Sequence, residues 1–298
     1  EQENKRLNPL GTLALRTIGD LNKGAYGGVH GNIGYTGLEG AYEQYLKGEE
    51  GISYKDNLSG RWVTRTEIEP RDGMDIITTI NIKMQDIAES ALYKQIKKMN
   101  ADWATAILME VETGEIKAIA NLGKENGDYT ENYNYAIGHQ GSSEPGSTFK
   151  LVSLMAAMDD GLIDTSDVFD TGSGVWKYKG QTIYDSDYQY GGHGEMTVKQ
   201  IFEKSSNVGV AKIITSCYES NPRDYVDRIY SFGLNKPLGL EVKGEGRPLF
   251  KYPGDSDWWG TTLAWMSYGY ETKMTPLQVL TFYNAVANGG RMIKPRMV

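Results

Sequence analysis

Ser147 and Lys150 stand three residues apart, where the sequence predicts the start of a helix. Residues i and i+3 share a helix face, so the lysine amine can reach the serine hydroxyl and take its proton. A hydroxyl is a poor nucleophile until a base removes that proton, and the sequence offers no convincing histidine and aspartate pair for the task. The spacing therefore predicts an acylating serine enzyme. Its base is Lys150, whose pKa must fall from about 10.4 through desolvation and nearby charge.

A second motif, Ser205-Ser206-Asn207, strengthens this interpretation. A lone Ser-x-x-Lys is expected about once by chance in a chain of this size. The second motif lies in the break between two predicted helices, residues 198–204 and 208–217. Because each motif occurs once and in this order, the two together predict one site.

The residues around Ser147 indicate how the chain positions it. Pro145 and Gly146 predict a turn before the helix, and Gly161 predicts its end. Between them, apolar residues recur at helical spacing and predict a face that is buried in a core: Leu151, Val152, Leu154, Met155 and Met158. Glu144, just before the turn, is either a solvated loop acid, which we favour, or an influence on the charge of Lys150.

Elsewhere the pattern predicts a mixed α/β fold. Residues 75–79 resemble a strand, and Asn81 is a plausible N-cap of a long helix with one apolar face. Residues 104–111 and 115–120 flank a turn and predict a β-hairpin. Thr197 and Thr275, each followed three residues later by glutamine, predict two capping boxes. The turn-rich residues 69–73 mark a module boundary.

Composition excludes several classes of protein. A net charge of −8 and a pI near 5.1 argue against a nucleic-acid binder. The single cysteine, Cys217, excludes an intramolecular disulfide and is predicted to be a packed core thiol. The three histidines, His30, His139 and His193, lack metal-ligand spacing, so neither a metal nor another cofactor is predicted.

The two motifs and several longer stretches resemble the class B penicillin-binding proteins, which carry a transpeptidase domain and no glycosyltransferase. The family's motif order is Ser-x-x-Lys, Ser-x-Asn and Lys-Thr/Ser-Gly. The stretches similar to the transpeptidase domain are residues 75–85, 110–120, 205–209 and 274–278, while residues 37–48 are similar to the family's non-catalytic N-terminal module. The form Glu-Pro-Gly-Ser-Thr-Phe-Lys at residues 144–150 favours the septal, cell-division subtype.

The resemblance implies a fold and a set of residue roles. The fold is the mixed α/β (α+β) penicillin-binding or serine transpeptidase fold, an antiparallel sheet flanked by helices. Residues 1–73 would form a pedestal-like or dimerisation module that docks on partners, and residues 74–298 the transpeptidase domain. Ser147 would attack D-alanyl-D-alanine with Lys150 as base, Ser205 would relay a proton to the leaving amine, and Asn207 would bind the substrate amide and steady Lys150. Gly269, between two tyrosines, would mark a tight backbone passage near the site.

One departure from the family concerns the third motif. Neither Lys-Thr-Gly nor Lys-Ser-Gly occurs in the 298 residues, although the family places that triplet downstream of the region resembling residues 288–296. We expect that the chain stops before it and lacks the C-terminal strands of the sheet, as part of a longer protein or a truncated form of it. That strand would supply an oxyanion-hole amide, so inactivity of this chain is one prediction.

The resulting expectation is a peptidoglycan D,D-transpeptidase of septal wall synthesis that β-lactams inhibit. A single-pass anchor upstream of residue 1 would hold it in the cytoplasmic membrane, with the catalytic domain outside the cytoplasm. Expected partners are D-Ala-D-Ala stem peptides, β-lactams, a membrane glycosyltransferase and division proteins, but not nucleic acid. Two alternatives stay open: a serine β-lactamase or penicillin sensor, against which no Glu-x-x-Leu-Asn occurs, and a non-catalytic wall-synthesis scaffold.

Overall fold

The computed structural model describes residues 7–23 and 32–298. It divides the chain into two compact units. The first comprises Glu1–Ala136, Gly239–Glu245 and Ile293–Val298, and the second Ile137–Leu238 and Gly246–Met292. The predicted boundary at residue 73 coincides with no edge of these units, and the assignment of residues 1–73 and 74–298 to separate domains stays a prediction.

The helices of the first unit are α1 (Leu15–Ile18), α2 (Gly37–Ala41), α3 (Glu43–Leu46) and α4 (Ile82–Met99). Its strands are β1 (Leu21–Lys23), β2 (Asn32–Gly34), β3 (Ile52–Leu58), β4 (Arg61–Ile68), β5 (Trp103–Met109), β6 (Ile116–Glu125) and β7 (Asp128–Thr130). Strands β5, β6 and β7 form an antiparallel sheet in that order, while β1 pairs with β2 and β3 with β4.

Helix α4 packs on the sheet of strands β5 to β7. Its N-cap is Asn81, whose side chain accepts hydrogen bonds from the backbone of Lys83 and Met84. Leu92 and Ile96 of the helix share a buried cluster with residues of β6. The predicted helix and the predicted β5–β6 hairpin are therefore confirmed.

The strand predicted over residues 75–79 is wrong. That segment is irregular and is held by separate hydrogen bonds instead of a ladder. The backbone N–H of Thr79 donates to the carbonyl of Met297, at 2.8 Å, and the Thr79 hydroxyl donates to the carbonyl of Ile116, at 2.7 Å. Alternation of apolar residues suits a strand, but a strand also needs a partner along its length.

The helices of the second unit are α5 (Lys150–Asp159), α6 (Val198–Glu203), α7 (Asn207–Tyr218), α8 (Pro222–Ser231), α9 (Thr262–Ser267) and α10 (Pro276–Ala287). Its strands are β8 (Val168–Asp170), β9 (Val175–Tyr178), β10 (Gln181–Tyr184), β11 (Glu195–Thr197), β12 (Leu249–Phe250) and β13 (Thr272–Lys273). They form three antiparallel pairs, β8 with β11, β9 with β10, and β12 with β13. Short 3-10 turns cover His139–Gly141, Gly146–Phe149 and Tyr188–Tyr190.

Helix α5 lies in the core of the second unit. It packs against α7 and α8, and its residues Val152, Leu154 and Ala156 are buried. The helix ends before Gly161, whose φ of 68° suits a residue without a side chain. Both predicted capping boxes are present, at Thr197 for α6 and at Thr275 for α10.

Cys217 is half-buried beside the core of the second unit. Burial raises the pKa of its thiol, which keeps it in the unreactive protonated form. No helix within the described residues has the length and apolar character needed to cross a membrane.

Candidate active site

Ser147 lies in the 3-10 turn Gly146–Phe149, which leads directly into helix α5. Its side chain is exposed. Two hydrogen bonds to residues outside the turn hold its backbone in place. The Gly146 N–H donates to the carbonyl of Gly269, at 3.1 Å, and the Tyr283 hydroxyl of α10 donates to the carbonyl of Thr148, at 2.9 Å. The turn thus presents the serine at a fixed position on the surface of the second unit.

The chain just before Ser147 runs antiparallel to residues 269–274. Ser143 and Met274 exchange backbone hydrogen bonds of 3.1 and 3.0 Å. Glu144 is exposed, as we favoured, but its carboxylate also accepts a hydrogen bond of 2.8 Å from the backbone N–H of Glu271. The role of Glu144 is therefore to anchor this strip to the neighbouring backbone.

Gly269 makes the closest backbone approach at this strip. A Cβ atom built on Gly269 would stand 2.1 Å from the carbonyl oxygen of Gly146, which no real side chain tolerates. Its φ of 91° also favours glycine. The tight passage expected at Gly269 therefore exists, and its partner is the residue before Ser147.

Lys150 is the first residue of α5 and only 1% exposed. Its ammonium donates to the carbonyl oxygen of Ser205 and, at 3.0 Å, to the Ser205 hydroxyl. Burial lowers the pKa of the Lys150 amine from 10.5 to about 8, although the negative charge of Asp185 opposes the fall. A lysine with this pKa has an appreciable neutral fraction near neutral pH, as a general base requires.

Ser205 lies in the turn between α6 and α7, and Asn207 is the first residue of α7. Ser205 has a left-handed backbone, with φ of 55°, and both its carbonyl and its hydroxyl reach Lys150. Ser206 caps α7, because its hydroxyl accepts a hydrogen bond of 2.8 Å from the N–H of Gly209. The Asn207 side-chain NH₂ donates to the carbonyl of Tyr184, at 2.8 Å. The side-chain oxygen of Asn207 can then accept from another donor.

Asp185 is the residue that the sequence analysis missed. It follows strand β10 and is 2% exposed. Its carboxylate accepts hydrogen bonds from the Ser206 hydroxyl, at 2.8 and 3.0 Å to its two oxygens, and from the N–H of Val208, at 2.9 Å. Nothing in the local sequence marks Asp185, because its partners lie about twenty residues further along the chain.

The structure brings some of the predicted site residues together and leaves others apart. Lys150 and Ser205 are in direct contact. Across the described residues, the Ser147 hydroxyl forms no side-chain hydrogen bond with Lys150, and Asn207 bonds to Tyr184 instead of Lys150. The assignment of Ser147, Lys150, Ser205 and Asn207 to catalysis and substrate binding accordingly stays a prediction.

Two of the three histidines, His139 and His193, lie within the described residues. His139 is exposed, His193 pairs with Asp187 at 2.8 Å, and His30 is outside the described residues. In the part of the chain that the structure describes, no group of three or more His, Cys, Asp or Glu side chains is placed to hold a metal ion.

Comparison with known proteins identifies consistent relatives. A family model described as the penicillin binding protein transpeptidase domain matches residues 104–298. The chain is similar to the peptidoglycan D,D-transpeptidase FtsI of Buchnera aphidicola, with 31% identity over 301 residues, 97% of this chain and 49% of that protein. It is also similar to FtsI of Escherichia coli K12, with 27% identity over 295 residues, 97% of this chain and 47% of that protein. The chain spans about half the length of these curated relatives.

A solved structure shows the same fold. The penicillin binding protein 3 of Mycobacterium tuberculosis, complexed with ampicillin, superimposes with a TM-score of 0.78 at 26% identity. The match covers 99% of this chain and 60% of that one. The predicted fold class, a mixed helix and antiparallel-sheet fold of the penicillin-binding type, is confirmed.

Proposed function

This chain belongs to the penicillin-binding protein transpeptidase family, and we propose that it is a peptidoglycan D,D-transpeptidase that works through a serine acyl-enzyme. The predicted resemblance to class B proteins of the septal type is confirmed by its relatives. The observation that best supports the proposed reaction is the buried Lys150, in contact with Ser205 and one turn away from the exposed Ser147.

The proposed reaction has two steps. Ser147 Oγ attacks the penultimate D-alanine carbonyl of a stem peptide, and Lys150 takes the hydroxyl proton. As the C–N bond breaks, Ser205 passes a proton from Lys150 to the leaving D-alanine amine. The contact between Lys150 and the Ser205 hydroxyl, at 3.0 Å, supports this relay. An amine from a neighbouring stem peptide then attacks the acyl carbon and forms the cross-link. Its proton passes through Lys150 to Ser147 Oγ as the ester C–O bond breaks.

Asn207 is proposed to bind the substrate amide. Its amide nitrogen is already engaged by the carbonyl of Tyr184, at 2.8 Å. That bond fixes the orientation of the side chain, so its oxygen is free to accept from an N–H of the peptide or of a β-lactam side chain. β-Lactams would react as substrate analogues at Ser147, since their strained amide offers the same carbonyl chemistry.

The partners are proposed from the resemblance and from one exposed feature. Strands β3 and β4 form a hairpin whose large side chains are exposed, including Trp62 and Ile68. Such a surface suits docking on other proteins. We place the protein at the outer face of the cytoplasmic membrane, held by an anchor preceding residue 1, with a membrane glycosyltransferase and division proteins as partners.

The proposal predicts a covalent adduct. Incubation with penicillin should add the mass of one drug molecule, mapped by peptide sequencing to Ser147, and the Ser147→Ala variant should gain no mass. The measurement is intact mass spectrometry of the 298-residue chain. No adduct would contradict acylation by this chain, as expected if it lacks the oxyanion-hole strand or is a non-catalytic scaffold.

The pKa of Lys150 predicts how acylation depends on pH. The amine is a base only when neutral, and burial sets its pKa at about 8. The acylation rate constant should therefore rise about tenfold per pH unit below pH 8 and level off above it. Stopped-flow measurement with a fluorescent penicillin between pH 6 and 10 tests this. A rate that stays constant from pH 6 to 9 would exclude Lys150 as the titrating base.

A further inference from the structure

Asp185 is bonded to the segment that carries Ser205 and Asn207. Its carboxylate accepts from the Ser206 hydroxyl and from the N–H of Val208, which are the residues on either side of Asn207. Its own N–H donates to the carbonyl of Gly174, at 2.8 Å, so the backbone of Asp185 is fixed as well. Both carboxyl oxygens of Asp185 therefore have partners on the segment that carries Asn207.

Lys150 needs a counter-charge because it is almost completely buried. Its amine is bound by the uncharged carbonyl and hydroxyl of Ser205. Asp185 is buried as well and is bonded to Ser206, the residue next to the Ser205 that holds the amine. Its negative charge raises the pKa of Lys150 against the effect of burial.

Several other ionisable groups on the two helices that pack against α5 have partners of their own. Lys212 of α7 donates to the carbonyl of Asp170, and Arg228 of α8 pairs with Asp159 and Asp160 at the opposite end of α5. Also on α8, Tyr225 shares a hydrogen bond with Ser153, Asp227 accepts from Tyr252, and Asp224 accepts from Asn221. None of them replaces Asp185 as the partner of the Lys150 charge.

We propose that Asp185 is the buried counter-charge of Lys150, a positioning residue that also holds the Ser205–Asn207 turn against the lysine. Through its hydrogen bonds to Ser206 and Val208 it fixes where the Ser205 oxygens lie. Through its charge it keeps the lysine more protonated at rest than burial alone would allow. The consequence for acylation rests on the proposed function, in which Lys150 is the base.

The Asp185→Asn variant separates charge from geometry. The asparagine oxygen can still accept from the N–H of Val208, and its amide can donate to the Ser206 hydroxyl, so the turn keeps partners while the negative charge is lost. Lys150 should then titrate at a lower pH, by about half a pH unit or more. The measurement is an NMR titration of the lysine side-chain signals of the folded protein, with Lys150 assigned through its absence in a Lys150→Arg sample.

Asp187→Asn is the matched control. It removes a carboxylate from the same loop, two residues away, and Asp187 pairs with His193 instead of with the Ser205–Asn207 turn. In the Asp187→Asn variant, the midpoint of the Lys150 titration should equal that of the unsubstituted protein. A midpoint in Asp185→Asn that is unchanged or higher would overturn the proposal.

A measurement on the unsubstituted protein keeps the proposal testable if Asp185→Asn does not fold. The side-chain carboxyl carbon of Asp185 should show an inflection in its ¹³C shift at the pH where Lys150 titrates, because each charge lies in the field of the other. Absence of that inflection would contradict the proposal. Both readouts are independent of acylation, so a failure of the proposed transpeptidase activity would leave them interpretable.

Discussion

Replacing Lys150 by methionine should lower the rate constant for acylation of Ser147 by about 10²- to 10⁴-fold, the usual contribution of a positioned general base. Methionine has a similar length and no amine, so it removes the proton acceptor while filling the same space. It also removes the donor to Ser205, at 3.0 Å from the hydroxyl. The measurement is the acylation rate constant from stopped-flow fluorescence with a labelled penicillin.

The same substitution should raise stability at neutral pH. Burial holds the pKa of Lys150 at about 8 in the folded protein, below its unfolded value of about 10.4. The unfolded state therefore binds more protons between these values, and the fold bears the cost of a desolvated charge at lower pH. Methionine has no charge to desolvate. The increase in the free energy of unfolding should therefore be largest below pH 8 and should shrink as pH rises toward about 10.4.

Lys199→Met provides the control. Lys199 lies on α6, its side chain is 73% exposed, and it stands 3.8 Å from Glu203 in an ordinary surface ion pair. Its replacement should leave the acylation rate constant unchanged. The free energy of unfolding should change by no more than about 0.5 kcal/mol. If Lys150→Met acylates at the unsubstituted rate, another group must be the base.

Local sequence signals predicted the elements that carry the site. Thr197 and Thr275 cap α6 and α10 through contacts with residues three positions away, and such short-range contacts can be identified in the sequence itself. Ser147 and Lys150 likewise share one turn of chain. The interactions that the sequence could not predict are those between distant segments. Two examples are the hydrogen bonds between Asp185 and Val208 and between Gly146 and Gly269. Such contacts depend on the tertiary fold and produce no periodic pattern in the sequence.

Helix α4 shows the limit of periodicity in another way. The spacing of its apolar residues predicted the helix, but Ile87 is 67% exposed and Met99 63% exposed. Gln85 is completely buried, as Ile96 is, and its amide exchanges hydrogen bonds of 2.7 and 2.9 Å with the backbone of Ile119. Hydrophobic spacing identifies a helix, whereas the face that is buried depends on which neighbours the sheet provides.

Gly269→Ala should destabilise the protein and detach the turn that carries Ser147. The new Cβ would lie 2.1 Å from the Gly146 oxygen and 2.6 Å from its nitrogen, both backbone atoms that cannot rotate away. The collision should add about 1–3 kcal/mol to the roughly 1–2 kcal/mol that alanine incurs at a positive φ. Because the Gly146 N–H would lose its acceptor on Gly269, acylation should fall by more than tenfold even where the protein remains folded.

Gly254→Ala separates the collision from the backbone effect. Gly254 also has a positive φ, of 111°, but a Cβ there would meet only the end of Arg223, at 3.6 Å. It should therefore show the backbone cost alone and acylate at the normal rate. Denaturant unfolding and stopped-flow acylation of both variants give the comparison. Equal losses at the two positions would mean that the contact between Gly146 and Gly269 does not hold the nucleophile in place, and that the turn is positioned by Tyr283 and Glu144.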